Sequence, residues 1–457
     1  MEKRKITAEL ADFIERIKIA DMGEPVVRAA KELVTDFLGV TAAGSVAEPA
    51  RIIQKLTKEQ SSQGTATIIG TGLKSHPAWA SFANGISGHA LDFDDASQVM
   101  YGHPTVAVLP ACMAVGELLN VSGLSLLESY IIGVEVTVKL AHGMNPAHYE
   151  WGWHSTCTLG SVGSAAAAAK LLGLKKEALR TALALAASQA AGLQQNFGTM
   201  TKPFHAGRAS ENGVLAALLA REGWTGDQNI LEAPLGFFNL FCGPGNYEAE
   251  KVIDRLGKPF DIESPGIILK KFPSCAFSHP VIDAALSITQ DPKYDAGKVD
   301  RVEGYIHELA DQILIHREVK TGLEAKFSME ACLALALVDR NVSMKSFTDE
   351  KVRSKEVKDM MARIERKILP KTEKGPIEFG PATVRAFLKG GTVLEASVAK
   401  ARGNPENPMS LQEIQAKYRE CCSEVLPDQS TEQSLTLLEN LENLENIHRL
   451  MDCFRID

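Results

Sequence analysis

The chain has 457 residues, 45% of them hydrophobic and 23% charged, with a formal net charge of −8. That length favours two domains, or one large domain carrying an insertion. The acidic balance and scattered Lys and Arg exclude an extended nucleic-acid surface, and no stretch approaches the roughly 20 apolar residues of a membrane span.

Apolar and charged residues alternate with helical spacing over Thr7–Ile19 and Pro25–Leu38, with Pro25 at a first-turn position. Gly64–Gly72 has β-branched residues between glycines and reads as a short extended piece. From Pro77 to about Gly223 the pattern is helix after helix: Val106–Leu119, Leu124–Met144, Thr158–Leu172, Lys176–Leu193 and Asn212–Glu222. These runs are rich in Ala and Leu, which favour helix and close helix approach. The breaks between them, Asp92–His103, Asn145–Cys157 and Gln194–Arg208, hold the polar residues, as a site built over an apolar scaffold would.

The texture changes near Pro259. Gly266–Pro273, Val299–Glu308 and Gln312–Val319 read as strands, and Thr383–Lys389 and Thr392–Val398 as a hairpin turned by Gly390-Gly391. Ser278–Gln290, Ala325–Asp339 and a charged stretch from Asp349 to Ile368 read as helices, and helical patterns return from Ser410 to Phe454. The expected fold is mainly α: a large all-helical domain formed by both chain ends, 1–265 and 405–457, with a smaller inserted α+β lid domain over 266–404.

The cysteines at 112, 157, 242, 275, 332, 421, 422 and 453 form no Cys-x-x-Cys pair and no zinc or iron–sulfur spacing, so reduced thiols and no metal are expected. The opening Met-Glu-Lys-Arg-Lys-Ile-Thr has no apolar run behind it. No signal peptide and a cytoplasmic location are therefore expected. No Gly-x-Gly-x-x-Gly after a strand, no P-loop and no Gly-x-Ser-x-Gly occurs, which argues against nucleotide cofactors and serine-nucleophile chemistry.

The chemistry concentrates in a few stretches. Gly88-His89-Ala90-Leu91-Asp92-Phe93-Asp94-Asp95, followed by His103-Pro104, sets three carboxylates beside two imidazoles. Crowded carboxylates raise at least one pKa, and such a group or a nearby His can transfer protons near neutrality; the plain alternative is that these residues only cap helices. Trp151-Gly152-Trp153-His154 places a His in an aromatic break. Lys202, His205 and Arg208 gather before a helix expected from Ala209, an arrangement suited to a carboxylate. Lys270, Lys271, Cys275 and His279 lie between an expected strand and helix. Cys275 as a nucleophile would need a lowered pKa. Carboxylates, imidazoles and ammonium groups together suit proton removal next to a carboxylate held by cations.

Gly88–Asp95, His103-Pro104, Lys202-Pro203-Phe204-His205-Ala206-Gly207-Arg208, Lys271-Phe272-Pro273-Ser274-Cys275 and Thr321-Gly322-Leu323-Glu324-Ala325-Lys326-Phe327-Ser328 together resemble the MmgE/PrpD family, in its order, from about residue 7 to 450. The resemblance implies an enzyme without metal or organic cofactor, a homodimer, and an active site in the cleft between helical domain and lid. By position, Asp92, His103, His154 and Lys202 resemble catalytic residues, and Lys270 or Lys271 the lid lysine; His205, Arg208 and Cys275 join them as expected substrate-binding residues. Ala96 stands where dehydratase and decarboxylase members usually have Thr, and Cys275 where the decarboxylase has a lid histidine.

The expected function is abstraction of a proton α to a carboxylate of a small polycarboxylic acid, by a hydro-lyase similar to 2-methylcitrate dehydratase. The alternatives are an iminodisuccinate-type epimerase, a cis-aconitate-type decarboxylase and, outside enzymes, an inactive binding or scaffold member.

Overall fold

A computed structural model describes residues 5–60, 64–369 and 380–456. The protein is mainly α-helical, with a two-stranded and a four-stranded sheet among the described residues.

The largest hydrophobic cluster draws on helices from Ile6–Arg16 to Thr201–Arg221, on residues up to Leu269, and again on 414–454. Its centre is the helix Thr201–Arg221, packed between Pro77–His89 and Ser155–Leu171. Small residues allow this. A Cβ on Gly85 would lie 2.6 Å from the Gly207 Cα, and one on Gly207 2.4 Å from the Phe82 carbonyl oxygen. Ala165 to Ala169 are all fully buried, and the Ser164 hydroxyl donates to the Ala107 carbonyl at 2.6 Å. The C-terminal helix Leu411–Cys422 packs on Glu24–Gly44, where Gly39 lets Tyr418 approach closely.

A second cluster is built from residues 272–394, joined by Tyr149 and Phe197. It holds the four-stranded sheet of β3 (Val299–Ile306), β4 (Ile364–Ile368), β5 (Ala382–Leu388) and β6 (Val393–Val398), in the order β4-β3-β5-β6; β1 (Ala66–Thr67) and β2 (Lys74–Ser75) form the separate pair at Gly64–Gly72. β3 runs parallel to β4 and antiparallel to β5. β5 and β6 form the hairpin expected, with Gly390 and Gly391 at φ 100° and 89°. Inward residues Ala382, Val384, Ala386 and Leu388 alternate along β5, and the helices His279–Thr289 and Met329–Asp339 pack beside the sheet.

Three strand and helix expectations need correction. Gly266–Pro273 is no strand of this sheet; it makes one isolated antiparallel bridge, Ala96 to Ile268. Within Gln312–Val319 there is no strand, and its start belongs to the helix Glu308–Ile313, capped by the His307 ring accepting from the Leu309 N–H at 3.1 Å. The charged helix to Ile368 ends earlier, at Met361, and Ile364–Ile368 is strand. β4 is an edge strand, where charge is tolerated, and Arg366 is bound by Glu330 and Asp311. Residues 370–379, inside the expected lid span, lie outside the described residues.

Candidate active site

The site is built at helix ends. His89 closes Pro77–His89, His103 precedes Pro104–Leu119, His154 precedes Ser155–Leu171, and Lys202 is the second residue of Thr201–Arg221. The last point corrects an expectation: Lys202, His205 and Arg208 are not in a loop before a helix at Ala209 but on that helix's first two turns. Residues three apart share a helix face, whereas six apart turns the side chain well away. Lys202 and His205 are accordingly buried, while Arg208 points outward to Glu211 at 2.6 Å.

Asp92, His103, His154, Lys202, Lys270 and Cys275 line one cavity, which encloses about 400 Å³ of atom-free space, its mouth included. Phe197, Phe327, Tyr101 and Tyr149 supply its apolar wall. Of the doublet, Lys271 is exposed, whereas Lys270 is fully buried and lines the cavity. Arg208 and Lys271 therefore lie outside the cluster, and His205 stands behind His154.

Asp92 is the hub. Its backbone is left-handed, φ 51°, a conformation Asp tolerates better than most residues. Lys202 Nζ and Lys270 Nζ both donate to Asp92 Oδ1, at 2.9 and 2.7 Å. Asp92 Oδ2 is buried and has no hydrogen-bond partner among the described residues. Burial would push this carboxyl up, but the two ammonium groups outweigh it and hold it well below its usual range. Lys270, despite burial, is held above the ordinary lysine value by Asp92 and Asp94.

Asp94 accepts from His89 Nδ1 at 2.8 Å; against its burial, His89 and His103 keep it below the ordinary value. Asp95 goes the other way: burial pushes it well above, and the hydroxyl of Thr105, which donates to it, does not offset that. The crowded acids are thus driven in opposite directions, Asp92 and Asp94 down and Asp95 up.

The His103 Nδ1 donates to the Asp95 carbonyl at 2.5 Å. A carbonyl only accepts, so the neutral ring leaves Nε2 as a bare acceptor, 3.9 Å from Asp92 Oδ1. Burial holds His103 well below its usual pKa. The His154 Nδ1 lies 3.1 Å from the His205 Nδ1, and one proton bridges them. Burial, with His205 and Lys202, holds His154 well below its usual pKa, and His205 is pushed down to about 4. Cys275 is no activated nucleophile, since burial and Asp92 raise its thiol to about 11.

Sequence reasoning missed Lys417 and gave Lys326 no role. Lys417 pairs with Asp36 at 2.7 Å and donates to the carbonyls of Phe93 and Lys270. Lys326, inside the Thr321–Ser328 stretch, donates to the Leu91 carbonyl. Single lysines carry no local signature, so only the resemblance around residue 326 offered a signal.

Among the described residues, the ligand atoms of His89, Asp92, Asp94 and His103 lie within 4.8 Å of one another, near enough for a metal ion. The donor set fits one poorly. Two ammonium groups already occupy Asp92 Oδ1, and His89 and Asp94 are paired with each other; a dication would face both lysines at short range. No described helix is long and apolar enough to cross a membrane, and all eight cysteines are free and buried.

Two family models and several known proteins match the chain over most of its length. The family model of the MmgE/PrpD N-terminal domain matches residues 8–250, and that of the C-terminal domain residues 272–443. The chain is 29% identical to the cis-aconitate decarboxylase of Mus musculus over 453 residues, covering 96% of this chain and 91% of that one. It is 28% identical to the Homo sapiens cis-aconitate decarboxylase over 460 residues, covering 96% and 92%, and 24% identical to that of Aspergillus terreus over 486 residues, covering 98% and 96%. With both family domains matched in order across most of its length, the chain belongs to the MmgE/PrpD family.

Proposed function

We propose that the protein is a lyase that forms and quenches a carbanion next to a carboxylate of a small polycarboxylic acid, with decarboxylation of a cis-aconitate-like tricarboxylate as the leading reaction. The observation that carries this reading is two buried ammonium groups converging on one carboxylate oxygen, in a cavity that is also lined by the imidazoles of His103 and His154.

Loss of CO₂ from the CH₂–carboxylate of cis-aconitate breaks a C–C bond and leaves its electron pair delocalised over the adjacent double bond and the carboxylate beyond. A proton must then form a C–H bond at the far carbon. Lys202 and Lys270, both buried, supply positive charge where the negative charge grows. His154, lining the cavity with Nδ1 committed to His205, presents Nε2 as the proton donor when His205 holds the bridging proton. His103 Nε2 is a bare acceptor beside Asp92; the decarboxylation itself removes no proton, and this ring is the base that proton abstraction in the other readings needs. The full-length likeness to proteins named cis-aconitate decarboxylase supports this choice.

Dehydration of 2-methylcitrate is the second reading. A thiol, Cys275, lines the cavity where the resemblance puts a histidine in decarboxylases, and the same base and acid serve proton abstraction and loss of hydroxide. Epimerisation draws on the same pair, with ring centroids of His103 and His154 6.5 Å apart. We carry forward the two-domain arrangement, with residues 266–404 as a lid over the helical domain of 1–265 and 405–457, and a homodimer. A monomer mass by light scattering at micromolar concentration would count against the dimer.

Incubation with cis-aconitate, 2-methylcitrate, citrate and iminodisuccinate in deuterated water, followed by proton NMR, separates the readings. Decarboxylation gives CO₂ and one deuterium in the product from cis-aconitate. Dehydration consumes 2-methylcitrate without CO₂, epimerisation exchanges deuterium without net loss, and an inert scaffold changes none of the four.

A further inference from the structure

Three consecutive backbone carbonyls, of Leu91, Asp92 and Phe93, belong to the turn that carries the cavity residue Asp92. Each takes a buried ammonium group from a different part of the chain: Leu91 from Lys326, Asp92 from Lys270 at 2.9 Å, and Phe93 from Lys417 at 2.9 Å. The last two are tied together, since Lys417 also donates to the Lys270 carbonyl at 2.7 Å. Lys326 stands apart, reaching in from the segment before the helix Met329–Asp339, 235 positions along the chain. It is 5% exposed, and its ammonium group lies 5.5 Å from the centre of the Phe347 ring. The turn so held contains Asp92 in its left-handed conformation, which L side chains rarely adopt and which persists only where surroundings hold it.

We propose that Lys326 is a positioning residue: by clamping the Leu91 carbonyl it fixes the Asp92 turn, and through it the Lys202–Asp92–Lys270 charge array that meets the substrate. This rests on the reading of that array as the substrate-anion site. It also links the segment around 322–328 to the chemistry, so that the array is in register only while that segment is seated.

The ammonium group of Lys326 faces Asp92 on the turn, Lys270 and Lys202 across the site, and Cys332 on Met329–Asp339. Burial and the two lysines outweigh the attraction of Asp92 and bring Lys326 down to about 7. A charge-assisted bond to a carbonyl is stronger than a neutral one, so the clamp weakens as pH rises past neutrality.

The test uses the full-length protein and Lys326→Met and Lys326→Arg, each checked by thermal melting. With Met the expected result is a kcat reduced about tenfold or more with KM within roughly threefold, and faster amide hydrogen exchange at residues 91–95. With Arg, which stays charged, kcat recovers and the fall in wild-type activity between pH 7 and 9 moves upward. Met turnover within twofold of wild type, unaltered exchange at 91–95, or identical alkaline limbs in wild type and Arg would overturn the clamp. Wild-type protein that releases no CO₂ from cis-aconitate defeats the decarboxylase reading instead; the exchange measurement then decides the clamp by itself.

Discussion

The helical region and the sheet-bearing region are packed by different rules. At the helix crossings backbone meets backbone: Gly85 against Gly207, Gly163 against the Gly133 carbonyl, Gly213 against the backbone of Ser164 and Ala165. In the sheet, Gly304 of β3 faces only the side-chain ends of Leu333 and Met329. The first kind of packing leaves helix termini little freedom, and those termini carry His89, His103, His154 and Lys202. Lys326, from the second region, and Lys270, beside it, instead reach the site on long side chains from segments outside regular helix or strand. The three imidazoles and the Lys202 ammonium group thus come from helix termini on one side, and the ammonium groups of Lys270 and Lys326 reach in from irregular segments on the other.

The largest effect should fall on the rigid side. His154→Asn keeps the shape and a hydrogen-bonding group but cannot pass a proton, so turnover should drop about 10²–10⁴-fold with little change in substrate affinity. Steady-state kinetics on the acid that the NMR assay identifies would check this, and near-normal kcat would move the proton chemistry to His103.

On the charge side, Lys270→Met removes one of the two bonds to Asp92 Oδ1. Bonds to charged groups contribute roughly 1.5–3 kcal/mol, so kcat/KM should fall about tenfold or more. Lys271→Met, one position away and exposed, should leave kcat/KM within about twofold of wild type. Equal losses in both would put the register back in question.

Stability should divide the regions as well. Gly207→Ala drives a Cβ to 2.4 Å from the Phe82 carbonyl oxygen and should cost about 1–3 kcal/mol. Gly304→Ala meets flexible ends 2.8 and 3.0 Å away and should cost under about 1 kcal/mol, helped by the lower chain entropy of unfolded Ala. Denaturant midpoints that rank the two the other way would refute the contrast.

The smallest effect is a pH dependence. Burial, aided by Lys270, pushes His279 down to about 3. Unfolded, this ring takes a proton near pH 6.5, whereas the folded state excludes it until about 3. Its contribution is therefore complete above pH 6.5 and is lost as pH falls toward 3, by about 0.7 kcal/mol between pH 7 and 6. In the helical region His148, also pushed to about 3, acts the same way, while Glu135, raised to about 7 by burial and Asp261, gains stability as pH falls through that range. His279→Gln should narrow the drop in unfolding free energy between pH 7 and 6; an unchanged drop would remove His279 as its source.

Local sequence determined the helices of the first region, because Ala- and Leu-rich runs with apolar periodicity favour helix wherever they pack. It also determined the β5–β6 hairpin, because paired glycines at positive φ set a turn between alternating strands. The stretches at 88–95, 103–104, 154 and 202–208 held the chemical groups of the cavity. Only tertiary structure decided which members converge. Lys270 faces in and Lys271 out, although they are neighbours in the chain. Arg208 leaves the cluster because residue 202 begins a helix rather than a loop. β4 exists because its backbone pairs with β3, some sixty residues earlier, against its own charged composition. The lysine clamps at Leu91 and Phe93 join residues 235 and 324 positions apart. Contacts of that span leave no periodicity in the chain, since what selects them is the burial of carbonyls and charges that exists only once the segments have packed.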